Sequence, residues 1–322
     1  MQFNYNFNNL KILYNDKFAE HYWNFITNNL DKHFNWYWLS SNQYITWEII
    51  ETNSDIPWDW TGISQNPNIT WEIIETNPDK PWDWMYISMN PNISLEIIEK
   101  NPDKPWDWEN IVSNINITVK IWEKYPDWNL ISSNINLSLE IIENNLDKDL
   151  NWYWISCNPN ITFELIENNP DKPWNWYWIS CNPNITFEII KNNPDKHWDW
   201  RGISINPNIT WEIICNNPYE EWCFGWISEN QNITWEIICN NPDNSWDWSS
   251  ISINPNITWE IIFNNPDKDW DWDMISRNSM EQGKYKWMKE HIKQHIFKEI
   301  SYILLCKKND DKDINDLICD FM

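Results

Sequence analysis

One string recurs down this chain at a fixed interval. It reads Asn182-Pro183-Asn184-Ile185-Thr186-Phe187-Glu188-Ile189-Ile190, then Asn192-Asn193-Pro194-Asp195-Lys196-His197-Trp198-Asp199-Trp200 and Ile203-Ser204. Shifting the window by 24 residues in either direction returns nearly the same residues. The Thr or Ser of the unit falls at 46, 70, 94, 118, 138, 162, 186, 210, 234 and 258, and every step is 24 except 118 to 138, which is 20. The second Trp of Trp-Asp-Trp keeps phase at 36, 60, 84, 108, 128, 152, 176, 200, 248 and 272, with Phe224 in the remaining slot. Self-similarity at such a period marks a stack of repeats, each too small to bury its apolar face alone.

Each unit holds two apolar pieces separated by proline. The first, Thr70-Trp71-Glu72-Ile73-Ile74-Glu75-Thr76-Asn77, ends at Pro78. Thr70 is a good N-cap, Glu72 favours the positive end of the helix dipole, and Pro78 cannot continue a helix. The second, Trp82-Asp83-Trp84-Met85-Tyr86-Ile87-Ser88, stops before Pro91 and places Trp84, Ile87 and Ser88 on one helical face. Either Asp83 or Asp79 could cap it. Helices this short are unstable alone in water and need tertiary burial. The chain has 30 Trp and one Ala, Ala19, so we expect wide helix separations filled by indole. The expected fold is an all-α superhelical solenoid of about eleven 24-residue two-short-helix repeats with a C-terminal capping helix. At about 10 Å per repeat an open stack would run roughly 100 Å.

The Asn-Pro-x-Ile-Thr-x-Glu-Ile-Ile and Asn-Pro-Asp motifs resemble the repeat of the leucine-rich repeat variant family, whose α and 3₁₀ helices alternate in a superhelix. The Trp-Asp-Trp part departs from it. The full string, with Asn-Pro-Asp-Lys-Pro-Trp-Asp-Trp, resembles tandem-repeat proteins of giant amoebal viruses of the mimivirus type, over roughly residues 22–278. That resemblance implies a viral repeat protein and carries no catalytic residues.

Three segments follow. Residues 1–21 are an Asn-rich, aromatic lead-in, 22–278 the repeats, and 279–322 an amphipathic helix and acidic tail. Tyr22-Trp23-Asn24-Phe25-Ile26 starts a degenerate first unit. Between 115 and 150 Pro gives way to Ile115, Ile135 and Leu146, Lys120 replaces Glu, and four residues are lost near Pro126-Asp127. This stretch is either a tightened joint or ordinary repeat decay. In the tail, Met288, Ile292, Ile296, Ile300, Ile303 and Leu304 form a stripe, and 284–305 is expected to cover Trp270, Trp272 and Ile275 as a cap. A partner-docking or membrane-surface helix is the alternative.

Net charge is −25, which repels nucleic acid and anionic membranes. Seven Cys, an odd count without a C-x-x-C pair, read as free thiols of a reducing compartment. No leader or 18-residue apolar run is visible, so an intracellular site, in host cytoplasm or virion, is expected rather than secretion. His291 and His295, or Cys215 and Cys223, lack the further ligands of a zinc site. No cofactor, metal or catalytic set is expected, and the chain reads as a non-enzyme.

The pair after the second Trp varies from unit to unit, including Tyr153-Trp154, Tyr177-Trp178, Arg201-Gly202 and Gly225-Trp226. A column accepting Gly, Arg and Trp is expected to face solvent. Tyr153, Trp154, Tyr177, Trp178, Arg201 and Trp226 are therefore the candidate partner surface. The expected function is a protein-protein interaction scaffold, monomeric. The alternative is a virion or fibre component that self-assembles through its solenoid ends.

Overall fold

A computed structural model describes residues 7–114, 122 and 126–306. Among them are 22 α-helices and no strand. A 21-residue helix, Phe7–Thr27, opens the chain and runs without a break from the lead-in into the first unit. A 26-residue helix, Glu281–Cys306, is the last described element. Between them most units hold two helices of six residues, such as Trp71–Thr76 and Trp84–Met89. The second helix of the shortened unit, Trp128–Ile131, and the first helix of the next, Leu139–Glu143, are smaller. Thr118 and Lys120 lie outside the described residues.

Local chemistry sets the helix ends. Thr70 Oγ1 accepts from the Ile73 amide, and Asp83 Oδ1 accepts from Met85 and Tyr86, so Asp83 and not Asp79 caps the second helix. Cys223 occupies that cap position in its unit without a side-chain bond. The first helix ends on Asn77, whose Nδ2 donates to the Ile73 carbonyl. The indole of Trp82 then donates to the Asn77 carbonyl at 2.8 Å, and Trp198 does the same to Asn193 at 2.7 Å. The two-proline linker is thus an extended strap pinned at both ends.

The innermost side chains are aliphatic, not indole. Ile63, Ile69, Ile87, Ile93, Ile203 and Ile209 are fully buried, whereas Trp60, Trp71, Trp84 and Trp200 are only half-buried. The tryptophans form a sheath that joins one unit to the next. Trp82 packs between Trp47 at 5.9 Å and Trp60 at 5.2 Å, the second contact edge-on at 84°. Such T-shaped pairs add about 0.5–1.5 kcal/mol beyond area burial. Lys80 lies 5.7 Å over the same Trp60 ring.

Two hydrogen-bond ladders run beneath this sheath. Ser64 Oγ accepts from the Asp83 amide and Ser180 Oγ from the Asp199 amide. The Asn of each Asn-Pro turn is a buried rung rather than mere punctuation. Asn206 Nδ2 donates to the carbonyls of Ser180, Asn182 and Ile185, and its Oδ1 accepts from the Asn208 amide. The Asn ladder passes the shortened unit, where Asn134 Nδ2 donates to Val112 and Asn114, whereas the Ser ladder is interrupted at Val112, which stands in the Ser column, and resumes with Ser132 Oγ accepting from Asn151.

The solenoid is circular. Ser276 Oγ of the last unit accepts from the Asn35 amide at 3.0 Å, the bond every earlier Ser of the ladder makes to its successor. Phe34 meets Trp272 edge-on at 5.3 Å and 89°, as Trp270 meets Trp248 at 5.3 Å and 89°. Lys32 lies 5.7 Å over Trp272, as Lys80 lies over Trp60. Unit 1 therefore occupies the place of a twelfth unit, and the stack has no open end. At the seam Tyr44 replaces the second Asn of the turn, two residues after the rung, and its hydroxyl donates to the Ser279 carbonyl at 2.6 Å, as Asn68 donates to Gln43. An open 100 Å rod does not form.

The last described helix is correspondingly repositioned. Trp272 is covered by Phe25 and Phe34 of the first unit and Trp270 by Trp235 and Trp248, not by residues 284–305. The chain leaves the repeat path at Met280, which has φ of 48° and is fully buried. The C-terminal helix then packs on the last unit, where the Gly283 amide donates to Pro255, and on the N-terminal helix, where Trp287 contacts Tyr14, Phe18 and His21. It caps the seam from one side. Ile292 of its apolar stripe is buried, and Met288 and Ile296 are half-buried against the core. The side chains of Ile300, Ile303 and Leu304 lie outside the description.

Candidate functional site

Successive second helices approach one another closely, while successive first helices are spread apart and bridged by indole. In a ring this puts the second helices on the inside. Eleven helices spaced by about 9 Å define a circle about 30 Å across, and subtracting the helix girth leaves an opening of about 20 Å.

The two walls differ in charge. The described first helices of the repeats carry fourteen Glu against two Lys, and the second helices carry Glu109, Glu229 and Asp273 against Arg201 and Arg277. The acidity of the chain is thus mostly external to the inner wall. The Glu column, including Glu72, Glu96 and Glu188, is exposed on the first helices and does not converge.

On the inner wall the six candidate residues form one connected arc. Tyr153 contacts Trp154 at 5.2 Å and Trp178 at 6.0 Å, both edge-on. Tyr177 contacts Trp178 at 4.9 Å and Trp226 at 5.7 Å, and the Arg201 guanidinium lies 5.6 Å over the Tyr177 ring. Arg201 is held by a two-pronged bond to Asp199, whose carboxyl it keeps below the usual carboxylate range. Tyr153, Trp154 and Arg201 are exposed, whereas Tyr177, Trp178 and Trp226 are half-buried by one another. Burial raises the Tyr177 hydroxyl well above its ordinary value. Burial also raises Glu229, against the opposing pull of Arg277.

The variable column is not uniformly solvent-facing. Gly202 is buried, and a Cβ there would stand 2.5 Å from the Tyr177 carbonyl oxygen and 2.8 Å from Ser180 Cβ. Gly62 is the same, with the Tyr37 carbonyl oxygen at 2.3 Å from a built Cβ. These glycines permit the closest approach of neighbouring helices. They also clear a space over which an aromatic reaches two units ahead, Tyr177 to Trp226 and Tyr37 to Tyr86. Tyr37, Trp38 and Tyr86 thus make a second arc that sequence reading passed over, with Arg277 4.7 Å over Trp38 across the seam. The signal was present: Tyr37-Trp38 precedes Thr61-Gly62 as Tyr177-Trp178 precedes Arg201-Gly202.

The described cysteines, Cys157, Cys181, Cys215, Cys223 and Cys239, are free thiols. Burial pushes Cys157 up to about 11 and Cys181 up to about 12. Among the described residues no group of three or more His, Cys, Asp or Glu is placed to hold a metal ion, and no helix is long and apolar enough to cross a membrane.

Fold and surface together define a class: a closed ring of α-helical repeats with an acidic outside and an aromatic inner wall. No protein-family model, curated protein or solved structure matches the chain.

Proposed function

We propose that this ring is a non-enzymatic scaffold that binds a protein partner on its inner wall, through Tyr153, Trp154, Tyr177, Trp178, Arg201 and Trp226. The observation that carries the reading is the arc of touching, partly exposed aromatics on the wall whose helices carry nearly balanced charge in an otherwise acidic chain. Tyr, Trp and Arg are the residues over-represented at binding hot spots; Tyr and Trp bury much area with little loss of conformational freedom, and Arg adds multidentate hydrogen bonding. An opening of about 20 Å admits a helix or an extended segment of a partner, given a helix diameter of about 10–12 Å. The resemblance of the repeat to those of giant amoebal virus proteins supports reading the scaffold as viral and its partner as a host or virion protein inside the cell.

The alternative, a fibre component polymerising end to end, is less favoured because closure leaves no free stacking surface. The test is affinity capture from infected amoebal lysate with the intact chain and with the Trp154→Ala/Trp178→Ala variant. A specific protein retained by the first and lost by the second is expected. Identical captures by both would refute the inner arc as the partner surface.

A further inference from the structure

The two terminal helices lie side by side across the seam and leave a cleft between them. Lys17 and His21 enter it from the N-terminal helix at i and i+4; His291, His295 and Lys298 enter from the C-terminal helix at i, i+4 and i+7. Each set shares one helical face. Five basic side chains therefore converge against one carboxylate, Glu20, in a chain whose net charge is −25.

The donors are held by the aromatic packing beneath them. His291 stacks on Trp287 at 4.0 Å, with Nδ1 2.9 Å from the Trp287 carbonyl oxygen. His21 meets Trp287 edge-on at 5.5 Å, and His295 meets Tyr14 edge-on at 6.0 Å. Lys17 lies 4.9 Å over the Tyr14 ring. Among the described residues neither Lys17 nor Lys298 has a carboxylate within ion-pairing distance. Two ammonium groups beside the imidazoles disfavour a metal cation and favour an anion.

We propose that this cleft binds a polyphosphate-type anion and that the anion clamps the ring shut. Lysine and imidazole are suitable phosphate donors, and charge-assisted bonds to phosphoryl oxygens are the strong class of hydrogen bond. A species with two or more phosphoryl groups presents oxygens to both helices at once, which one isolated phosphate does less well. Because the two walls of the cleft come from opposite ends of the chain, the ligand binds the closed ring and not the open one. Binding therefore stabilises closure by mass action. This inference is independent of the inner-wall reading, since it concerns different residues on a different face.

The test is calorimetric titration of the full chain with inorganic pyrophosphate, alongside thermal melts at rising pyrophosphate. Saturable binding and a rising melting temperature are expected. Lys17→Glu with Lys298→Glu is expected to weaken binding about a hundredfold, roughly tenfold per reversed charge. Lys289→Glu with Lys293→Glu makes the same charge change on exposed residues outside the cleft, and is expected to weaken binding less than about threefold. If the first double variant fails to fold, Lys17→Gln with Lys298→Gln replaces it. No binding by the unaltered chain at millimolar pyrophosphate, or equal losses in the cleft and control variants, would overturn the proposal.

Discussion

Replacing Asn206 by Ala tests the ladder that stacks the units. Asn206 is fully buried and makes four hydrogen bonds: Nδ2 to the Ser180 carbonyl at 2.8 Å, to Asn182 at 3.0 Å and to Ile185 at 3.1 Å, and Oδ1 from the Asn208 amide at 2.8 Å. The loss is not four times one bond. The Asn182 carbonyl still accepts from the Ile185 amide, and the Ile185 carbonyl still accepts from Asn208 Nδ2. The Ser180 carbonyl and the Asn208 amide lose their partners. Two groups stripped at about 1–2 kcal/mol each, with the lost packing of the amide, give a destabilisation of about 3 kcal/mol. Asn208→Ala, which removes two bonds at the more exposed edge, should cost about 1 kcal/mol. Asn206→Asp should be worse than Asn206→Ala, because a carboxylate offers only acceptors to three carbonyls. Urea titrations followed by tryptophan fluorescence measure all three. A cost for Asn206→Ala below about 1 kcal/mol, or an Asp variant no worse than Ala, would refute the account of the rung.

Other outcomes follow from closure and burial. Phe25→Ala with Phe34→Ala removes the apolar seam contacts to Trp272 and should open the ring, read as a larger maximum dimension in small-angle scattering; an unchanged profile would count against closure by these rings. Excising one unit, 159–182, should leave helical units stacked but break the contacts between the terminal helices, since ten units of the same curvature do not complete the turn. Unaltered protection of the N-terminal helix in hydrogen exchange would contradict this. Iodoacetamide at pH 8 should alkylate exposed Cys215 and Cys239 before Cys157 and Cys181, whose thiols burial holds up at about 11 and about 12 and so keeps protonated. Mass spectrometry of time points gives the order, and early labelling of Cys181 would sink the argument.

Much of the fold was legible because the determinants are local and repeated. Thr70 and Pro78 set the ends of the first helix within a few residues of themselves and could be read directly, whereas the second helix offered Asp79 and Asp83 as caps and only the structure selected Asp83. The periodicity required a stack, and the variation at Tyr153-Trp154 and Tyr177-Trp178 marked residues that meet on one wall. What could not be read locally was burial and curvature. Nothing adjacent to Gly202 reveals that the Tyr177 carbonyl lies against it, so a column tolerant of Gly, Arg and Trp looked like free surface. The turn Asn206 likewise looked like punctuation until its three carbonyl partners, 21 to 26 residues back, were in view.

The sequence alone determined the unit: its length, its two capped helices, its charge and the rule that each copy stacks on the last. Tertiary structure decided where the stack goes. A small rotation per unit, set by how closely second helices pack and how far indoles hold first helices apart, accumulates over the whole array. Its sum brings Asn35 to Ser276, 241 residues away, in the register of ordinary neighbours. No window of one repeat contains that sum, because closure is a property of all the interfaces together.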